Sequence, residues 1–203
     1  MDNLAVLVSG RGSNLRALHE ATKDGRLEAN IALVVSNNAK APALKYCSEE
    51  GIPCIVLKTK DFIEKNAYFK TIGDEIERFN VNLIVLAGFM LLVPQSFIMR
   101  FKYRILNIHP SILPSFPGLE AQRQALEYGV KISGCTVFFV DEGCDTGPII
   151  VQKFVQVNED DTIDILSDRI LTQEHDSLWQ AVKIILDGKY KIEGRRVKIL
   201  EDK

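Results

Sequence analysis

The chain has 203 residues, 46% of them hydrophobic and 26% charged, with a net charge of −2. That balance reads as one water-soluble globular domain over residues 1–203, and it excludes a broad cationic face for nucleic acid. Any anion must therefore be held by a local site, and no apolar run approaches the roughly 20 residues of a membrane helix.

The start, "MDNLAVLVSG", has neither the basic flank nor the apolar core of a signal peptide, which points to a cytoplasmic protein with reduced thiols. Cys47, Cys54, Cys135 and Cys144 show no C-x-x-C spacing, so no metal site is expected. Cys144 lies in a glycine-flanked loop, where it reads as a small space-filling residue before it reads as a nucleophile.

In chain order, "LAVLV" (Leu4 to Val8) is a short apolar run suited to a strand buried on both faces. "NLRALHEATKDG" follows as a helix that Gly25 can stop, "IALVVS" is a second strand, and Ala41 to Glu50 a second helix. "CIVL" is a third strand. Asp61 is placed to cap a helix running to about Asn80. "LIVLAG" (Leu83 to Gly88) and "ILNIH" (Ile105 to His109) are the fourth and fifth strands.

Such alternation predicts right-handed crossovers: an α/β, doubly wound, Rossmann-like, mostly parallel sheet. After Gly118 the pattern changes. "ISGCTVFFV" and "PIIVQKFVQV" are longer strands joined by "DEGCDTG", an antiparallel C-terminal part. Thr162 to about Leu186 is a long helix, and "KYKIEGRRVKIL" reads as a small hairpin.

Three places carry chemistry. In "SGRGSN", glycines turn the chain tightly into a helix whose first N–H groups attract an anion, and Ser13 and Asn14 add donors. A P-loop lysine is missing, and the second strand ends in "SNN" where a dinucleotide fold needs an acid. A phosphate monoester fits better than a nucleotide cofactor.

In "RILNIHPSILPSFPG", the period of two puts Asn107 and His109 on one side of a strand that Pro110 ends. Ligands in open parallel sheets bind beyond the carboxyl ends of strands, which is where His109 stands. The prolines stiffen the following loop, and the Leu113–Pro114 bond is a candidate for cis. Against this stands the plain reading that both side chains merely pack. Asp141, Glu142 and Asp145 offer a carboxylate for the imidazole, and the flanking Gly143 and Gly147 favour Asp145. Third, Glu174 interrupts the apolar stripe of Ile170, Leu178 and Val182, so an internal donor or a site must satisfy it.

With "VLVSGRGSNL", "VLAGFM", "LNIHPSILPSFPG", "QAL", "DTGPII" and "TQEH" in order, the chain resembles the phosphoribosylglycinamide formyltransferases over nearly its whole length. These are the folate-dependent formyl transferases of purine synthesis. The resemblance implies a cytoplasmic enzyme, a monomer or weak homodimer, that acts on small molecules without nucleic acid, membrane or metal. It implies formyl transfer from 10-formyltetrahydrofolate to the amine of 5-phosphoribosylglycinamide through a tetrahedral intermediate. In that reading Asn107 and His109 stabilise the intermediate, and Asp145 tunes His109.

The resemblance also implies substrate binding by Gly12, Ser13, Asn14 and by Leu171, Thr172, Gln173 and Glu174. It places the folate on Lys65, on Met90, Leu91, Leu92 and Val93, and on the loop of Asp141, Glu142, Gly143, Cys144 and Asp145. The chain departs from the family pattern at Glu120 and Gln122, where a histidine is usual, and at Leu91, where an arginine is usual. The nearest alternative is a hydrolase that releases formate from formyltetrahydrofolate. It is expected to carry a regulatory domain before the first strand and has no use for a phosphate loop.

Overall fold

The computed structural model describes residues 1–200. It divides into two units, Met1–Leu106 and Asn107 onward, which are taken in turn. The class is the expected one: α/β, with parallel strands first and antiparallel pairs toward the C-terminus.

The first unit runs β1 (Asp2–Val8), α1 (Ser13–Lys23), β2 (Ala29–Ser36), α2 (Pro42–Glu50), β3 (Cys54–Val56), α3 (Lys65–Arg78), β4 (Leu83–Leu86) and α4 (Gln95–Arg100). The first four strands lie in the order β3-β2-β1-β4, every pair parallel. β1 is central among them. Its Leu4 to Val8 are wholly buried, as a strand covered on both faces requires. Leu4, Val6, Leu7 and Val8 each contribute about 1.5–3 kcal/mol by leaving water. The helices bury narrow stripes against the sheet: Leu15, Leu18 and Ala21 in α1, and Phe69, Ile72 and Ile76 in α3.

One expectation and one omission need amendment here. Asp61 caps nothing: it ends an isolated 3-10 turn, Thr59–Asp61, and α3 begins later, after Glu64, with no side-chain cap. The cause is packing. The Phe62 ring meets Tyr68 edge-on at 5.3 Å, which holds Phe62 extended and fixes where the chain enters α3. The second is α4, a short helix after Pro94 that buries only Phe97 and Ile98, too few to show a period.

β5 (Ile105–His109) leads into the second unit, which continues with α5 (Ala121–Tyr128), β6 (Ile132–Phe139), β7 (Ile149–Gln156), α6 (Ile163–Leu186), β8 (Tyr190–Glu193) and β9 (Arg196–Ile199). The strands follow the order β5-β6-β7-β9-β8, with β6–β7 and β8–β9 antiparallel. The predicted hairpin is β8–β9. α5 went unanticipated, since only Ala121 and Ala125 are buried in it.

α6 opens as expected at Thr162, whose Oγ1 accepts from the Ile165 N–H at 3.3 Å, a cap worth about 1 kcal/mol. Its inner stripe packs Leu166 and Ile170 against Ala125, Cys135, Val155 and Val157.

Candidate active site

β5 carries two polar side chains among apolar ones. Ile105, Leu106 and Ile108 are buried, Asn107 is half-buried, and His109 is 5% exposed although it ends the strand. Both ring nitrogens face an oxygen of the chain. His109 Nε2 lies 2.8 Å from the Phe116 carbonyl oxygen, and Nδ1 lies 3.4 Å from Asp145 Oδ2. Because a carbonyl only accepts, Nε2 carries a proton; Nδ1 is left facing the carboxylate.

Asp145 is held for this role. Its backbone is left-handed, with φ +54°, a conformation aspartate tolerates better than most residues. Its Oδ2 accepts from the Gly118 N–H at 2.8 Å. Phe116 and Gly118 belong to one turn, so a single segment fixes both the histidine ring and the carboxylate. That backbone contribution leaves no trace in residue type.

The turn is itself pinned by a cross-strand pair. Thr136 on β6 lies opposite Gln152 on β7. Thr136 Oγ1 donates to the Ser111 carbonyl at 2.7 Å and accepts from the Leu113 N–H at 3.1 Å. Gln152 Nε2 donates to the Leu113 carbonyl at 2.9 Å and to Thr136 Oγ1 at 3.0 Å. The Leu113–Pro114 bond is cis, as anticipated. Sequence reasoning passed over Thr136 and Gln152. The only signal was a polar residue inside each of two apolar strands.

The loop between β6 and β7 is knitted from within. Asp141 Oδ1 accepts from the Gly143 N–H at 3.1 Å and from Thr146 Oγ1 at 2.6 Å. Gly147 passes so close to β6 that a Cβ there would stand 1.6 Å from the Phe139 carbonyl oxygen. Burial, and then the Asp145 carboxylate, push the Cys144 thiol's pKa up. Cys144 directs its S–H toward Asp145 Oδ2 at 3.7 Å; the raised pKa does not suit a nucleophile, but the side chain is exposed and so, contrary to expectation, fills no core space.

The remaining candidates sit as follows. Gly12 is the left-handed residue before α1, and no side chain caps the helix there. Its φ of +75° and the 2.6 Å that would separate a Cβ from Ala43 both demand glycine. Ser13 and Asn14 are the first two residues of α1, with Asn14 buried. Lys65 opens α3 and is exposed. After β4, the Met90 N–H donates to Ser9 Oγ at 2.9 Å. Met90 and Leu92 stand 67% and 68% exposed, while Leu91 and Val93 are half-buried.

On α6, Glu174 is buried within the apolar stripe as anticipated; Leu171 and Gln173 are half-buried. Thr172 is exposed and directs its hydroxyl back to the Asp168 carbonyl. His175, beside Glu174, was not singled out. Burial lowers its pKa, and its enclosed Nε2 has no hydrogen-bond partner among the described residues. Glu120 is the left-handed residue before α5, exposed and paired with Arg123 at 3.3 Å.

Known proteins resemble this chain over most of its length. A family model described as formyl transferase matches residues 2–182. The phosphoribosylglycinamide formyltransferase of Bacillus subtilis is 38% identical over 92% of this chain and 95% of its own length. The trifunctional purine biosynthetic protein adenosine-3 of Drosophila melanogaster is 44% identical over 91% of this chain, which spans only 14% of that protein. The crystal structure of glycinamide ribonucleotide transformylase 1 from Symbiobacterium toebii superposes with a TM-score of 0.97 at 43% identity, covering 99% of this chain and 95% of the other. By the reach of these matches, the chain belongs to the formyl transferase family, beside the phosphoribosylglycinamide formyltransferases.

Proposed function

We propose that the chain transfers a formyl group from 10-formyltetrahydrofolate to the amine of 5-phosphoribosylglycinamide, a step of cytoplasmic purine synthesis. The observation that carries this reading is His109, held between the Phe116 carbonyl and the Asp145 carboxylate with Asn107 two residues before it. The relatives named for the same reaction support it.

The residue types suit the chemistry. As the amine attacks the formyl carbon, negative charge develops on the formyl oxygen. The Asn107 carboxamide can donate to that oxygen, and one such donor is worth about 2.7–4 kcal/mol of barrier. A proton must also pass from the attacking amine to the departing folate nitrogen. Nε2 is committed to the Phe116 carbonyl, so Nδ1 is the nitrogen at which His109 takes and gives that proton. Asp145 stabilises the ring while the proton is held there.

The start of α1, with Gly12, Ser13 and Asn14, suits the phosphate through backbone N–H groups that no side chain caps. Glu174 and the turn from Leu171 suit the rest of that substrate. The folate fits the exposed apolar pair Met90 and Leu92, since a flat ring would cover surface now in water. Lys65 offers a cation to the cosubstrate's carboxylate tail, and Asp141 to Asp145 offer polar groups to its ring.

The decisive assay follows folate release from 10-formyltetrahydrofolate with and without glycinamide ribonucleotide. Release only when the amine is present is the expected result. Equal release without it would replace transfer by hydrolysis.

A further inference from the structure

The family match stops at residue 182, before the end of α6, yet the chain goes on to form the β8–β9 hairpin. That hairpin holds the Asp141–Gly147 loop at both stems and in the middle. Before the loop, the Tyr190 ring lies 5.9 Å from the wholly buried Phe139 ring, tilted by 34°. After the loop, Arg196 bridges Ile149 in a parallel pairing. Within it, Arg195 Nη2 donates to the Thr146 carbonyl oxygen at 2.5 Å. The hairpin is closed on itself by the Tyr190↔Ile199 register and by the Leu200 N–H, which donates to the Lys189 carbonyl at 2.8 Å.

Thr146 follows Asp145, the residue in the left-handed conformation. Side chains other than glycine's adopt that conformation rarely, so neighbours must hold it. Asp141 fastens the Thr146 hydroxyl from inside the loop, and Arg195 fastens the Thr146 carbonyl from outside. With residue 146 gripped on both sides, the peptide that orients Asp145 has little freedom to turn its carboxylate off His109. We propose that Arg195 is a positioning residue for formyl transfer, acting through Thr146 to aim Asp145 at His109. This rests on the catalytic reading of Asp145 given above.

The test uses the 203-residue chain and four variants: Arg195→Ala, Arg195→Lys, Asp145→Asn and the Arg195→Ala/Asp145→Asn double. Arg195→Ala should lower kcat about tenfold, below the roughly 10²-fold that gross misplacement costs, with KM for both substrates and the thermal midpoint unchanged. Arg195→Lys should recover most of the rate, because an ammonium can donate to the same carbonyl. In the Asp145→Asn background, Arg195→Ala should cost less than about twofold, since the two residues act as one unit. Wild-type kcat in Arg195→Ala while Asp145→Asn is slow would overturn the proposal and leave the site reading standing. The same fractional loss in both backgrounds would also overturn it. A wild-type rate in Asp145→Asn would remove the site reading, and the role of Arg195 with it.

Discussion

Replacing Asp145 with asparagine isolates charge from shape. The carboxamide oxygen can still accept from the Gly118 N–H, which Asp145 Oδ2 does at 2.8 Å, so the loop keeps its anchor. What disappears is the negative charge 3.4 Å from His109 Nδ1. An interaction with a charged partner contributes about 1.5–3 kcal/mol, and each 1.36 kcal/mol is a factor of ten. Asp145→Asn should therefore lower kcat by about 10- to 10²-fold. KM for glycinamide ribonucleotide should move little, because the phosphate site proposed above is at the start of α1. The assay is steady-state folate release in the presence of the amine, with a urea melt to show that the fold is intact. A rate within twofold of wild type, on a folded protein, would show that the carboxylate beside the imidazole does not serve turnover.

Two further outcomes follow from the same geometry. Thr136→Val keeps the shape of a wholly buried side chain but leaves the Leu113 N–H and the Ser111 carbonyl without their hydroxyl partner. It should destabilise the chain by about 1–3 kcal/mol for each group left unpaired, read from the urea midpoint, and it should slow turnover. Asp161 is held down to about 2 from 3.8 by the Arg169 guanidinium and the Asn158 N–H. Its lowered pKa stabilises the fold above the unfolded value of about 4, and that contribution is lost as pH falls through about 2. Melting curves of wild type and Asp161→Asn should differ by a constant amount above pH about 5 and converge by pH about 2. A gap that persists in acid would mean that the pair acts by something other than charge.

Much of this protein is written in local pattern. The alternation of short apolar runs with helical periods, punctuated by glycine, determined the class, because burial on both faces of a strand and on one face of a helix leaves a period in the chain itself. The period of two likewise set Asn107 and His109 on one side of β5. Where the deciding contact is distant, the pattern falls silent. Asp61 looked like a cap until Phe62 packed on Tyr68 and moved the helix start. Of the three acids in one loop, the flanking glycines already favoured Asp145, and the fold supplies the contacts that separate it from the others. Asp141 turns inward to its own loop, while the Gly118 N–H and a left-handed backbone aim Asp145 at the ring. The partner at Nε2 is a backbone carbonyl, which every residue possesses and no residue type reveals. Tertiary structure decided those matters because a hydrogen bond depends on where two groups come to rest, and chain closure between residues 109, 118 and 145 is not a local property.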